Sequence, residues 1–156
     1  MRAGSLEGFV AIVSFAPDIE ARRKLAKPAG RGFRRLARRW GLSVDEQLQL
    51  LGYSVSRSTL LSWDDNPPGE LDTDQLMRVS YLLGIYEAVE RMLRLAPAEA
   101  DSWVRRANSD APFCGETPLA LMFRGGIPAI AATRAYADAV VGGPPTREGS
   151  LRWIET

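Results

Sequence analysis

Apolar residues along this chain recur at helical intervals, with almost no alternation of the kind a half-buried strand needs. Phe33, Leu36, Ala37 and Trp40 fall on one face of a helix over 31–40. Arg31, Arg34, Arg35, Arg38 and Arg39 occupy the rest of it. Ser43 and Glu46 have the S-x-x-E spacing of a capping box and predict a helix start at Val44. Val44, Leu48 and Leu51 then share a face, and Gly52 ends the segment. Ser54 or Ser56 caps a second short helix, in which Thr59, Leu60 and Trp63 lie inward or near the seam. Asp64 to Gly69, with Pro67 and Pro68, closes it.

A longer helix opens at Asp72 or Thr73 and carries Leu76, Val79 and Leu83, then Ile85, Val89, Met92 and Leu93. Gly84 is tolerated in its middle or marks a break. Met77, Tyr81, Leu82 and Tyr86 add more apolar surface than one stripe uses. Such a helix is either buried on most sides or offers one face to a second copy of the chain. Near the N-terminus, Leu6, Phe9, Val10 and Val13 are helically spaced. The run Phe9–Val13 would also suit a strand, but nothing else in the chain offers that strand a partner. Pro17–Asp18 interrupts, Ile19 to Ala26 resumes with Arg22, Arg23 and Lys24 outward, and Pro28–Gly30 reads as a linker.

The stretch from Ser102 to Gly143 reads as three short helices. Trp103 sits on the first, expected over Ala98 to Ala107, and Asn108 satisfies backbone groups in the turn that follows. Pro112 and Gly115 break the chain, and Thr117–Pro118 restarts it as N-cap and first helical residue. Gly125–Gly126 stop that helix, Pro128 opens the last, and Gly142–Gly143 with Pro144–Pro145 end it. The expected fold is all-α.

Two short helices joined by a glycine turn are the physical content of a helix-turn-helix. If the second enters a major groove, Ser56, Arg57, Ser58, Thr59 and Ser62 are placed to read bases. Arg57 alone among them can make a bidentate contact to guanine. The same fold kept only for packing is the competing account. For the arginine-rich face, a solvated surface and a phosphate-contacting helix stand side by side.

Composition narrows the chemistry. Of 156 residues, 46% are hydrophobic and 25% charged, as in an ordinary globular protein, and the formal net charge is +1. The distribution is uneven: residues 1–40 carry ten Lys/Arg against three acids, and residues 41–80 two against seven. There is no histidine and one cysteine, Cys114. That excludes an intrachain disulfide, a Cys/His zinc site and His-based acid–base catalysis. No catalytic residue, metal or cofactor is expected. The apolar run near the N-terminus is preceded by Glu7 and a single arginine, unlike a secretory signal. No stretch has the roughly 18 consecutive apolar residues of a membrane span. A cytoplasmic location with no membrane partner is expected.

The order and spacing of Trp103, Asn108, Phe113, Gly115, Pro118, Leu119, Leu121, Met122, Gly125 and Gly142–Gly143 resemble the toxin-binding domain of Xre/MbcA/ParS antitoxins. Upstream, LSVDEQLQLLG, SRSTLLSW and LDTDQLMRVSYLLGI resemble the Xre-type helix-turn-helix, so the likeness covers roughly Phe33 to Gly143. The segment Gly52 to Trp63 is longer than the family pattern, the excess falling on Tyr53 to Ser56. The resemblance implies an antitoxin that neutralises a RES-domain toxin, an enzyme similar to ADP-ribosyltransferases that consumes NAD or transfers its ADP-ribose. Neutralisation would come from obstructing the toxin's cleft, and the helix-turn-helix would bind operator DNA as a homodimer or a larger assembly with toxin. No small-molecule substrate is implied. The expected organisation is an N-terminal extension (1–28), a helix-turn-helix and dimerisation region (29–96), a toxin-binding domain (97–145) and a tail (146–156). Expected toxin contacts are Phe113, Pro118, Leu119, Met122, Phe123, Tyr136, Arg152 and Trp153. For the tail, packing on its own domain and docking of Arg152 and Trp153 on the toxin are the two readings.

Overall fold

The computed structural model describes residues 19–93 and 96–142. The expected N-terminal helix and the tail contacts Arg152 and Trp153 lie outside these residues. Six helices follow in order: α1 (Ile19–Arg39), α2 (Val44–Leu50), α3 (Arg57–Ser62), α4 (Thr73–Met92), α5 (Pro97–Ser102) and α6 (Pro118–Gly142), with a 3₁₀ turn at Trp103–Arg105 between the last two. No strand occurs among the described residues, so the fold is all-helical as expected.

Helix α4 is the centre. Asp72 and Gln75 form its capping box, with each side chain taking the other's backbone N–H at 2.7 and 2.9 Å. Leu76, Val79, Leu82, Leu83, Ile85, Ala88 and Val89 are all buried and point around its circumference. It packs chiefly against α6 on one side and α1 on the other. The reading of a helix buried on most sides therefore describes its place within the single chain. Gly84 sits mid-helix because the Arg134 guanidinium of α6 lies across it; a Cβ there would fall 1.6 Å from Nη1.

Pro28–Gly30, expected as a linker, is inside α1. Two features make that possible. Proline leaves the carbonyl four residues back without its helical donor, and both Lys24 and Pro28 are exposed, so that carbonyl lies on the outer side of the helix. Gly30 is buried beneath Pro68, whose ring Cδ would stand 2.3 Å from an added Cβ. The glycine is a close-approach point between helix and loop. At the other end of α1, Gly41 takes φ +61, and the N–H groups of Gly41 and Leu42 return to the carbonyls of Arg38 and Ala37. That is a Schellman cap.

The C-terminal half follows its terminators. The segment expected as a helix over Ala98 to Ala107 is shorter, ending at Ser102 and tightening into the 3₁₀ turn. Thr117 Oγ1 accepts from Ala120 N at 3.0 Å, with Pro118 opening α6. Gly126 (φ 63, ψ −148) interrupts α6, so Pro128 begins a second straight section.

Gly30→Ala is expected to destabilise by about 1–3 kcal/mol through overpacking against Pro68, although alanine gains about 1 kcal/mol in helix propensity. Gly84→Ala costs less, because the end of a flexible arginine can move and a proline ring cannot. Urea unfolding of the two variants against wild type measures the difference.

Candidate functional site

The short helices α2 and α3 form the first candidate surface. Ser43 caps α2 by accepting from Glu46 N at 3.1 Å. The Glu46 carboxylate does not return to the cap as the S-x-x-E spacing predicts. It takes Arg105 Nη2 at 2.8 Å, while Arg105 also donates to the carbonyls of Trp40 and Gly41. Leu51 is fully buried, whereas Val44 and Leu48 are half-buried. Gly52 and Tyr53 both have positive φ, 69 and 55, and their N–H groups reach Gln49 O and Leu48 O. A second Schellman cap thus absorbs the start of the long turn. Ser54 ends it, donating to Leu51 O and accepting from Gln75 Nε2 of α4.

Ser56 caps α3 by accepting from Thr59 N at 3.1 Å. Leu60 and Trp63 turn inward, and Thr59, expected near the seam, is exposed. Ser56, Arg57, Ser58, Thr59 and Ser62 all lie on the exposed side of α3. Several have local duties: Ser56 also donates to Thr59 Oγ1, and Ser62 donates to Thr59 O at 2.6 Å. Arg57 Nη2 donates to Asp45 Oδ1 of α2 at 2.7 Å, leaving its other donors open. Leu61, 45% exposed beside them, was not among the expected contacts. The signal for it was the Leu60–Leu61 pair, of which one helix face can bury only one.

A polar clamp holds this unit on α1. Arg34 binds Asp64 through Nε and Nη2 at 3.2 and 2.7 Å, and its Nη1 donates to Gln47 Oε1 at 2.6 Å. Gln47 is buried and donates onward to Leu42 O. Arg38 adds a third bond to Asp64 at 3.0 Å. Bonds from Arg34 first, then Arg38, lower the Asp64 pKa from 3.8 to about 2. Arg39 is likewise drawn to Asp101 and Glu90. The arginine run is therefore in good part a set of internal tethers.

The second surface is built on three aromatic rings. Trp103 stacks on Tyr136 at 6.2 Å and meets Phe113 edge-on at 5.9 Å, and Phe113 meets Tyr136 at 4.9 Å. Above them the 108–116 loop is pinned: Asn108 and Glu116 join by backbone, Gly115 N donates to Asn108 O, and Asn108 Oδ1 accepts from Asp110 N. Tyr136 donates to Asp110 Oδ2 at 2.7 Å and accepts from Asn108 Nδ2. Burial raises the Tyr136 pKa, Asn108 pulls it back, and Asp110 adds to the rise. Cys114 is exposed at φ 50.

Phe113, Leu119 and Met122 are 1–3% exposed, and Pro118 is buried with them. Of these four expected contacts, Phe113 packs edge-on against both other rings, and all four side chains are covered within the chain itself. Phe123 and Tyr136 are half-buried at its rim. The exposed groups above are Asp110, Pro112, Cys114, Ala120 and Arg124, with Arg124 paired to Glu116. Gln49 of α2 reaches Phe123 O at 3.5 Å, so the two candidate surfaces adjoin. Among the described residues no group of three or more His, Cys, Asp or Glu side chains could hold a metal. None of the described helices is long and apolar enough to cross a membrane.

Residues 21–84 match the antitoxin Xre-like helix-turn-helix domain. The chain is also 40% identical over 111 residues to "Uncharacterized protein y4oB" of Sinorhizobium fredii (strain NBRC 101917 / NGR234), covering 71% of this chain and 82% of that protein. The chain belongs to the family of that relative, and its residues 21–84 are similar to the antitoxin Xre-like helix-turn-helix domain. No solved structure matches it.

Two outcomes test these assignments. The Asp64 pKa is depressed on folding, so its contribution is present above about pH 3.8 and is lost as pH falls toward about 2. Asp64→Asn should flatten the stability profile across that window and leave its shape near neutrality unchanged, as followed by denaturation at stepped pH. Phe113→Ala should cost about 3–5 kcal/mol in urea unfolding, which a purely superficial contact would not.

Proposed function

We propose that this protein is an antitoxin that captures a RES-domain, NAD-consuming or ADP-ribosylating toxin, obstructs its active-site cleft and regulates its own operon through α2 and α3. The observation that carries this reading is the antitoxin Xre-like domain at 21–84, continued by a second half that shares its core. The toxin-facing surface is the pinned 108–116 loop with Ala120, Phe123 and Arg124, held flat by the aromatic floor. Rigid, pre-organised surfaces lose little entropy on binding. Inhibition by occupancy asks for no reactive group on this chain, in keeping with the absence of histidine. The tail residues Arg152 and Trp153 supply further contacts, arginine and tryptophan being favoured anchors. Dimerisation brings two α3 helices to a two-fold operator, and both activities take place in the cytoplasm.

A stand-alone dimeric regulator is the second reading. It is favoured by the extent of the domain match, which stops within α4.

Co-expression with a RES-domain protein encoded beside this chain separates the two. A stable complex that preserves cellular NAD supports the antitoxin; a fully active toxin in the presence of excess chain rejects it. Arg57→Ala should reduce operator discrimination by about 1–3 kcal/mol without changing toxin capture. Deleting residues 146–156 should have the opposite pattern, weakening capture and sparing DNA binding.

A further inference from the structure

We propose that the outer face of α1 is a phosphate-gripping rail for duplex DNA, formed by Lys24, Lys27, Arg31 and Arg35. It rests on the DNA-binding reading of α2 and α3, and adds a surface that neither helix contains. At 100° per residue these four positions fall in one strip, directly opposite Ala26, Ala29, Phe33 and Ala37, which are buried. All four are exposed, and none has a carboxylate partner among the described residues. The strip runs about 16 Å at 1.5 Å per residue, and Glu20 lies one turn before it.

The continuity of α1 through Pro28 is what creates the strip. Were Pro28–Gly30 a linker, Lys24 and Lys27 would belong to a different element from Arg31 and Arg35. The structure also sorts the basic residues by availability. Arg34, Arg38 and Arg39 are engaged by Asp64, Asp101 and Glu90, and Arg23 by Glu70. The rail consists of the exposed basic residues of α1 left over, Arg22 being half-buried, so the densest part of the arginine run is not its most available part.

Charge complementarity selects the occupant. A duplex offers a negative charge about every 1.7 Å of axis, and the rail offers cations every three or four residues. An acidic protein partner would want an apolar or aromatic anchor among the charges; the strip has none beyond Pro28. Its position fits as well. Lys27 lines a cleft of about 510 Å³ together with Thr59 and Ser62 of α3. The rail and the reading helix therefore border one depression.

The test uses the full chain carrying K24Q, K27Q, R31Q and R35Q, with folding checked by circular dichroism and thermal melting. Binding to a random-sequence duplex and to the duplex upstream of its own gene is measured across a salt series. The slope of log K against log salt should flatten by about 3–4, at about 0.9 per phosphate released. Both duplexes should weaken by the same factor, with their ratio unchanged. K24Q/K27Q and R31Q/R35Q should each produce about half of the flattening. An unchanged slope in the folded variant overturns the rail, as does a loss confined to one duplex. If Arg57→Ala abolishes the preference between duplexes while the rail variants bind normally, the rail alone falls. If wild type binds neither duplex at low salt, the DNA-binding reading falls with it. A loss of toxin capture with DNA binding intact would assign the strip to a protein and reject the proposal.

Discussion

The constraint on which everything else depends is that α4 has almost no free side. Its apolar residues point around the helix, so it must be covered by α1 from one direction and α6 from the other. Burial of this kind contributes roughly 25 cal/mol per Å² of apolar surface, and it is available only when both halves are in place. The helix-turn-helix and the C-terminal half are thus two faces on one shared wall. A substitution that loosens α4 is felt on both, and a loss of two activities together does not by itself locate a contact.

Polar groups then fix what apolar burial leaves undetermined. Arg34, Gln47 and Asp64 settle how α2 and α3 sit on α1, and Asn108, Asp110 and Tyr136 settle how the 108–116 loop sits on its rings. Each cluster satisfies groups that would be costly to enclose unpaired. The pairs are also partly exposed, so their value lies more in defining one geometry than in net stabilisation. Asp45 on Arg57 belongs to this class: it holds a side chain on the open face of α3 in one orientation.

Much of the fold was legible because its punctuation is local. Ser56, Asp72 and Thr117 cap the helices they precede, and Gly52 and Gly126 take the positive φ that ends or breaks a helix. The failures share one cause, a partner far away in the chain. Pro28–Gly30 reads as a linker until Pro68 is seen against Gly30. Ser43–Glu46 reads as a reciprocal box until Arg105 claims the carboxylate. Ala98–Ala107 reads as one helix until it is seen to end at Ser102 and tighten at Trp103, whose ring packs on Phe113 and Tyr136. Ser56, Arg57, Ser58, Thr59 and Ser62 are exposed, as helical phase and the cap position predict for a short helix that buries Leu60. Their ion pairs are not predicted, because phase says nothing of a neighbouring helix.

Arg105 has a consequence of its own. It leaves the 3₁₀ turn beneath the aromatic rings and inserts its guanidinium where α1 ends and α2 begins, bonding Trp40 O, Gly41 O and Glu46 together. A displacement of that turn would strain three bonds at the junction of those two helices, and a displacement of the junction would strain the same three bonds. One side chain therefore ties the turn that carries Trp103 to the junction of α1 and α2.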